Sequence, residues 1–255
     1  MKQLIIQGGK KLFGIINISG SKNASLPILA ATLLVDEKIT LKNIPDVKDI
    51  STMINLLESI GKKINFSDSR NQIVITSKKN KKLIAPYNLV KTMRAGVLVL
   101  GPLLAKYGQA RVSLPGGCAI GSRPVDLHID MLKKMGAKIK IQKGYIVAKV
   151  IKKLKPGKLK FESISVGATE NLIMAATLCK GKTTIKNIAI EPEIIDLINF
   201  LNKSGAKIVF NSSRVITIEG VESLKGSTHS IIPDRIETGT YAVASLISNG
   251  KITLN

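Results

Sequence analysis

The stretch "DMLKKMGAKIKI" at residues 130–141 has two counterparts in the same chain, "LLESIGKKINF" at 56–66 and "FLNKSGAKIVF" at 200–210. In all three, an apolar run with helical spacing ends at a glycine and gives way to alternating residues. The glycines are Gly61, Gly136 and Gly205, 75 and 69 residues apart. Glycine at that point predicts a helix C-terminus, where a residue lacking Cβ enters the left-handed region. Aligned on it, an apolar stripe at i, i+3, i+4, i+7 reads Ile50, Met53, Ile54, Leu57 in the first copy and Ile194, Leu197, Ile198, Leu201 in the third. The second reads Val125, His128, Ile129, Leu132. A hairpin pattern follows each glycine.

Working outward, each copy is preceded by a second helix and a strand: "NASLPILAATLLVDEKITLKN" (23–43), "MRAGVLVLGPLLAKYGQARVSL" (93–114) and "ATENLIMAATLCKGKTTIKN" (168–187). A unit of about 70 residues thus reads helix, strand, helix, hairpin. Three units predict one α/β domain over residues 21–230, with its largely apolar helices buried inside surrounding sheets. A fourth unit opens at "RIETGTYAVASLISNGKITLN" (235–255) and reaches only its strand. Residues 1–20 hold two strand-like runs, "QLIIQG" (3–8) and "FGIINIS" (13–19). The expectation is that residues 1–20 and 231–255 are fragments of a second, mostly missing domain.

The bulk composition narrows the class. The 255 residues are 44% hydrophobic and 4% aromatic with no Trp, which predicts a sizeable aliphatic core. No apolar run reaches the roughly 18 residues of a membrane span, and the start lacks a secretory pattern. Cys118 and Cys179 suggest neither a disulfide framework nor a metal cluster, so a cytoplasmic protein without bound metal is expected. The net charge of +22 is mostly Lys spread along the chain. Its densest run, "KKNKK" (78–82), has no interleaved aromatics for base stacking; the charge reads first as a solvated Lys-rich surface, and the excess would still favour an anionic small substrate.

One unit departs from the other two. From Lys38 to Ile50 and from Lys182 to Ile194 the strand-to-helix span is 12 residues, whereas from Gln109 to Val125 it is 16. The four extra residues fall in "PGGCAIG" (115–121), and the repeat does not need them. Extensions of one loop on a rigid scaffold are where function concentrates. In the same unit His128 breaks the apolar stripe. It reads either as a histidine half-facing solvent or as a polar contact turned toward a ligand. Cys118 reads either as a packing cysteine or as a reactive thiol, five residues before Arg123 and just before a helix start, where thiol pKa falls. Cys179, inside "IMAATLCKG", reads as core.

The first-helix starts carry a second pattern. "SGSKNA" (19–24) offers Lys22, "KTMRAG" (91–96) offers Arg94, "ISVGATEN" (164–171) offers Ser165, Val166 and Gly167, and "IPDRIETG" (232–239) opens the fourth unit. Free helix N–H groups beside cations suit a phosphorylated ligand. No P-loop, GxGxxG or HExxH is present in the sequence.

Together, "SGSKNA", "TMRAG", "SLPGGCAIGSRPVDLH", "SVGATEN", "IEPEIID" and "IIPDRIETGT" resemble the UDP-N-acetylglucosamine 1-carboxyvinyltransferase family of enolpyruvyl transferases, in order and over the whole chain. The cysteine loop is specific to it; the sister enzymes acting on 3-phosphoshikimate lack that loop. The resemblance implies an inside-out α/β barrel of three repeats, paired with a second such domain across a cleft. It implies transfer of the enolpyruvyl group of phosphoenolpyruvate to the 3-hydroxyl of UDP-N-acetylglucosamine with release of phosphate, the first committed step of peptidoglycan synthesis. It makes Cys118 the general acid on a mobile loop and the residue alkylated by fosfomycin. It assigns Lys22, Asn23 and Arg123 to phosphoenolpyruvate. It assigns Arg94, Arg123, Pro124, Val125, Asp126, Leu127, His128, Ser163, Ser165, Val166 and Gly167 to the nucleotide sugar. No metal or organic cofactor, no nucleic acid and no membrane partner is implied, and the full-length form is expected to be monomeric. Ser163 stands where the family usually has Lys, which puts that contact in doubt. The family's aspartate base and several arginines lie beyond the portion present here, so the chain alone is expected to be inactive. The competing readings are a nucleotide-sugar-binding remnant and a basic nucleic-acid-binding module.

Overall fold

The structure, a computed structural model, describes residues 3–68, 71–91, 93–115 and 125–255. After strand β1 (Phe13–Ile16), the first unit runs through helix α1 (Lys22–Ala31), a 3-10 turn (Thr32–Leu34), β2 (Ile39–Lys42), α2 (Lys48–Ile60), β3 (Lys62–Phe66) and β4 (Gln72–Ser77). The second comprises β5 (Ile84–Ala85), α3 (Tyr87–Val90), a 3-10 helix (Arg94–Val99), α4 (Leu100–Tyr107), β6 (Gln109–Ser113), α5 (Asp126–Lys134), β7 (Lys138–Gln142) and β8 (Tyr145–Lys149). The third comprises β9 (Lys158–Lys160), α6 (Val166–Thr177), β10 (Lys182–Lys186), α7 (Pro192–Lys203), β11 (Lys207–Ser212) and β12 (Val215–Glu219). β13 (Thr228–Ser230), α8 (Arg235–Ile247) and β14 (Lys251–Leu254) follow.

The repeat glycines do what the sequence requires of them. Gly61, Gly136 and Gly205 have φ of 128°, 91° and 99°, values closed to most residues with a Cβ. They turn α2, α5 and α7 into the first strand of each hairpin. α1 from Ala24 to Ala31 and α6 from Ala168 to Thr177 are buried on every side, as mostly apolar helices must be, with Glu170 and Asn171 the most polar exceptions in the first turns of α6. They pack with the Arg94–Val99 helix and α4 along the centre. Three four-stranded sheets surround them, in the orders β13-β2-β4-β3, β5-β6-β8-β7 and β9-β10-β12-β11. Their inward pairs are equivalent across the units: Leu41 with Ile73, Val112 with Ile146, Ile185 with Ile216. All six side chains are wholly buried. Helices inside and sheets outside make the expected inside-out α/β barrel.

Three features differ from the sequence reading. Each sheet gains a short strand parallel to its second member: β13, β5 or β9. Two or three residues show no alternation, so these strands are silent in sequence. The run "QLIIQG" forms no strand; Leu4, Ile5 and Ile6 are exposed, and no described strand pairs with them. The second unit's first helix is broken into the Arg94–Val99 3-10 segment and α4.

The short strands also show an exchange. β5 and β9 each pair with the strand of their own unit, β6 and β10. The leading strand of the first unit, β1, instead pairs with β14 of the fourth, and the leading strand of the fourth, β13, pairs with β2 of the first. The β1–β14 pair and α8 leave an open apolar face, where Phe13, Ile15, Val243, Leu246 and Ile247 are 57–81% exposed.

Candidate active site

The first-helix starts converge at one end of the barrel. A cavity of about 350 Å³ lies between the Arg94–Val99 helix, α5 and α6, lined by Arg94, His128, Ser165, Val166, Gly167 and Glu170 among others. A second, of about 260 Å³, shares Ala95, Leu98, Val166 and Glu170 with it and extends to Asn23, Glu191, Glu193 and Arg235. Capping builds the first cavity's floor. Ser165 Oγ accepts from Ala168 N at 3.3 Å, which leaves the N–H groups of Val166 and Gly167 without an intrahelical acceptor at the positive end of α6.

His128 is not half-exposed, as one reading had it; only 5% of its surface is accessible. Its Nδ1 lies 3.0 Å from Asn171 Nδ2. Burial, and then the nearby Arg94 guanidinium, push its pKa down to about 4, so it is a neutral imidazole in the cavity wall. Glu170 is buried beneath both cavities. Burial, then Glu193, then Glu191 hold its carboxyl well above the usual carboxylate range. The first cavity therefore presents one guanidinium, helix N–H groups and a carboxyl whose ionisation burial and its acidic neighbours oppose, a wall suited to an anion.

The second cavity is more acidic. Glu193 Oε1 accepts from Arg235 Nε at 2.9 Å. Its Oε2, and that of Glu191, are buried and accept no hydrogen bond from any described residue. Polar atoms left so cost about 1–3 kcal/mol each, which a donor-bearing ligand would recover.

The structure thus brings Arg94, His128, Ser165, Val166 and Gly167 into one cavity and Asn23 into its neighbour. Lys22 lines neither. Its Nζ pairs with Asp49 at 3.1 Å on a half-open surface, a pair worth at most about 1 kcal/mol and displaceable by a ligand anion. Val125 caps α5 and is buried, Leu127 packs on the core, and Asp126 and Ser163 are exposed outside both cavities. Cys118, Arg123 and Pro124 lie outside the described residues. Cys179 is core, as read: buried, its Sγ 2.8 Å from Leu154 O, its thiol pushed up to about 11 by burial.

Glu170, Asn171, Glu191 and Glu193 were missed as site residues. The available signal was the repeat itself. Aligned on Thr32 and Thr177, the buried Glu170 and Asn171 stand opposite Ser25 and Leu26 of α1. That is a charge and an amide inside an otherwise apolar helix.

Comparison with known proteins gives a consistent set of relatives. The family pattern of EPSP synthase (3-phosphoshikimate 1-carboxyvinyltransferase) matches residues 6–255. Proteins named UDP-N-acetylglucosamine 1-carboxyvinyltransferase from Pelagibacter ubique and Ruthia magnifica are 57% and 55% identical over 254 residues, covering 100% of this chain and 60% of theirs. The chain therefore spans about three fifths of the length of these curated relatives. Among solved structures, the enolpyruvyl transferase NikO from Streptomyces tendae matches with a TM-score of 0.83 at 21% identity, over 94% of this chain and 56% of that one. EPSP synthase from Acinetobacter baumannii matches with a TM-score of 0.72 at 16% identity, over 90% and 52%.

Proposed function

Since the chain belongs to the EPSP synthase (3-phosphoshikimate 1-carboxyvinyltransferase) family, we propose that its paired cavities bind a nucleotide sugar beside an enolpyruvyl donor, and that the activity it serves is UDP-N-acetylglucosamine 1-carboxyvinyl transfer. The observation that carries this reading is the first cavity itself. Arg94, the neutral His128 and the Val166 and Gly167 N–H groups left free at the Ser165-capped start of α6 line one pocket of about 350 Å³, within the range of small-molecule sites. The choice of UDP-N-acetylglucosamine over 3-phosphoshikimate rests on the relatives at 55–57% identity and on the cysteine loop.

In the proposed reaction the sugar 3-hydroxyl gives its proton to a general base as its oxygen bonds to C2 of phosphoenolpyruvate, while another proton reaches the donor's methylene carbon, C3. The C2–O bond to phosphate then breaks, C3 gives up a proton, and the enolpyruvyl ether and inorganic phosphate leave. Cys118 is assigned the proton delivered to C3, with Arg123 stabilising the departing phosphate. Asn23 faces the donor from the second cavity, and Lys22 exchanges Asp49 for the donor's anionic groups. Arg94, the run from Arg123 to His128, and Ser165 to Gly167 hold the nucleotide sugar. The site acts without a cofactor, in the cytoplasm, at the entry to peptidoglycan synthesis, and fosfomycin alkylates Cys118. Residues 21–230 form one domain. The strand exchange between β1 and β13 supports assigning residues 1–20 and 231–255 to another.

Titration calorimetry with UDP-N-acetylglucosamine tests the reading. Binding that Arg94→Ala weakens by about tenfold or more supports it, and no binding at millimolar ligand refutes it. Fosfomycin labelling of wild type but not of Cys118→Ala supports the assigned thiol; equal labelling of both refutes it.

A further inference from the structure

The side chain of Asn171 has its orientation fixed by two backbone groups. Its oxygen accepts from Gly101 N at 2.5 Å, and its amide nitrogen donates to Val97 O at 2.9 Å. Reversing the amide would set oxygen against a carbonyl and NH₂ against an N–H. The arrangement depends on a close crossing of α4 and α6, since a Cβ at Gly101 would lie 2.3 Å from Asn171 Oδ1 and 2.4 Å from Asn171 O. The second hydrogen of that NH₂ points to His128 Nδ1 at 3.0 Å. An amide nitrogen only donates, so Nδ1 must accept and carries no proton. The neutral ring then keeps its proton on Nε2.

The Nε2 edge faces the first cavity. A Cβ on Gly167 would stand 3.3 Å from His128 Cε1 and 3.5 Å from Nε2, which places this edge beside the first turn of α6. His128 lines the cavity there, and no described residue accepts from Nε2. Arg94 and Glu170 are the ionisable groups sharing that wall.

We propose that Asn171 is a positioning residue: it locks His128 in the Nε2–H tautomer, so that the cavity offers a ligand a hydrogen-bond donor at that point instead of a lone pair. The lock stands on geometry alone; naming the ligand acceptor as a phosphate or carbonyl oxygen of a nucleotide sugar rests on the proposed function. Together with Arg94 and the N–H groups of Val166 and Gly167, the locked imidazole makes this wall donor-rich. It selects ligands whose facing atoms accept.

The chain has only two histidines, so its imidazole ¹⁵N spectrum is simple to assign. Long-range ¹H–¹⁵N correlation on the uniformly labelled chain at pH 7, with His128→Gln to assign the signals, reads the tautomer without any ligand. A protonated Nε2 and an unprotonated Nδ1 are expected; an Nδ1–H or doubly protonated ring overturns the proposal. Asn171→Asp, nearly isosteric, puts a carboxylate opposite Nδ1. It should move the proton to Nδ1 or charge the ring, and should weaken uridine diphosphate binding about tenfold in calorimetry. An unchanged tautomer in a folded Asn171→Asp chain overturns the lock. If wild type shows Nε2–H yet uridine diphosphate does not bind, the lock stands and the nucleotide-sugar reading fails. If uridine diphosphate binds and leaves the Nε2 resonance unmoved, the donor role is overturned.

Discussion

Acidification should remove a defined share of stability through His128. Its folded pKa is about 4, set by burial and then Arg94, against about 6.5 in an open chain. At about 1.36 kcal/mol per pH unit, that interval is worth on the order of 3 kcal/mol. The sign follows from proton counting. Below pH 6.5 the unfolded chain takes up a proton that the folded chain refuses, so protons favour unfolding. This contribution is complete above pH 6.5 and is lost progressively as pH falls toward 4. Glu170 acts in the opposite sense. Its raised pKa means that the folded chain binds the proton more readily, so acid relieves its burial. A difference measurement separates the two. Urea unfolding of wild type and His128→Gln, extrapolated linearly at pH 6.5 and pH 5, should show the wild-type advantage shrinking by about 2 kcal/mol. A gap constant to within about 0.5 kcal/mol over that range would refute a neutral, buried His128 and the packing that produces it.

Three further outcomes follow from the same structure. Lys62 is buried, its Nζ 2.6 Å from Val35 O and 2.9 Å from Ser77 Oγ, and burial, then Lys106, lower its pKa to about 7. The folded state is therefore penalised while Lys62 is charged, and stability relative to Lys62→Met should rise by about 1.4 kcal/mol per pH unit from pH 7 toward 10; equal slopes in the two urea series would contradict it. Glu170→Gln should match or exceed wild type in melting temperature at pH 7 and lose that advantage at pH 5, whereas a large loss at pH 7 would mean that the carboxylate is ionised and paired. Arg235→Gln should cost about 1–3 kcal/mol by leaving both Glu193 oxygens buried without donors, and the double variant with Glu193→Gln should recover most of it; no recovery in thermal unfolding would exclude the pair as the cause.

How much of this was legible in sequence depends on whether a residue's role is local or assembled. Gly61, Gly136 and Gly205 were readable because a positive φ after an apolar stripe is a demand of the chain itself, and the sheets followed from it. The exchange of β1 and β13 was not. Strands of three or four residues have too little periodicity to reveal a partner, and the choice between β2 and β14 is made by tertiary contacts. The site divides the same way. Arg94 and Ser165 to Gly167 announced themselves at helix starts, where free N–H groups make polar residues meaningful whatever surrounds them. His128 was visible as a break in a stripe, but its burial and tautomer were not. Those depend on Asn171 in the next helix, 43 residues on, and on Gly101 letting that amide sit against α4. Asn171 itself looks like a defect in an apolar helix until its partners are placed. Its three hydrogen bonds satisfy a backbone N–H, a backbone carbonyl and a ring nitrogen at once. An amide so fully used is an expensive way merely to fill a core position that Leu26 fills in α1, and its distinct consequence is the direction of one N–H into the cavity.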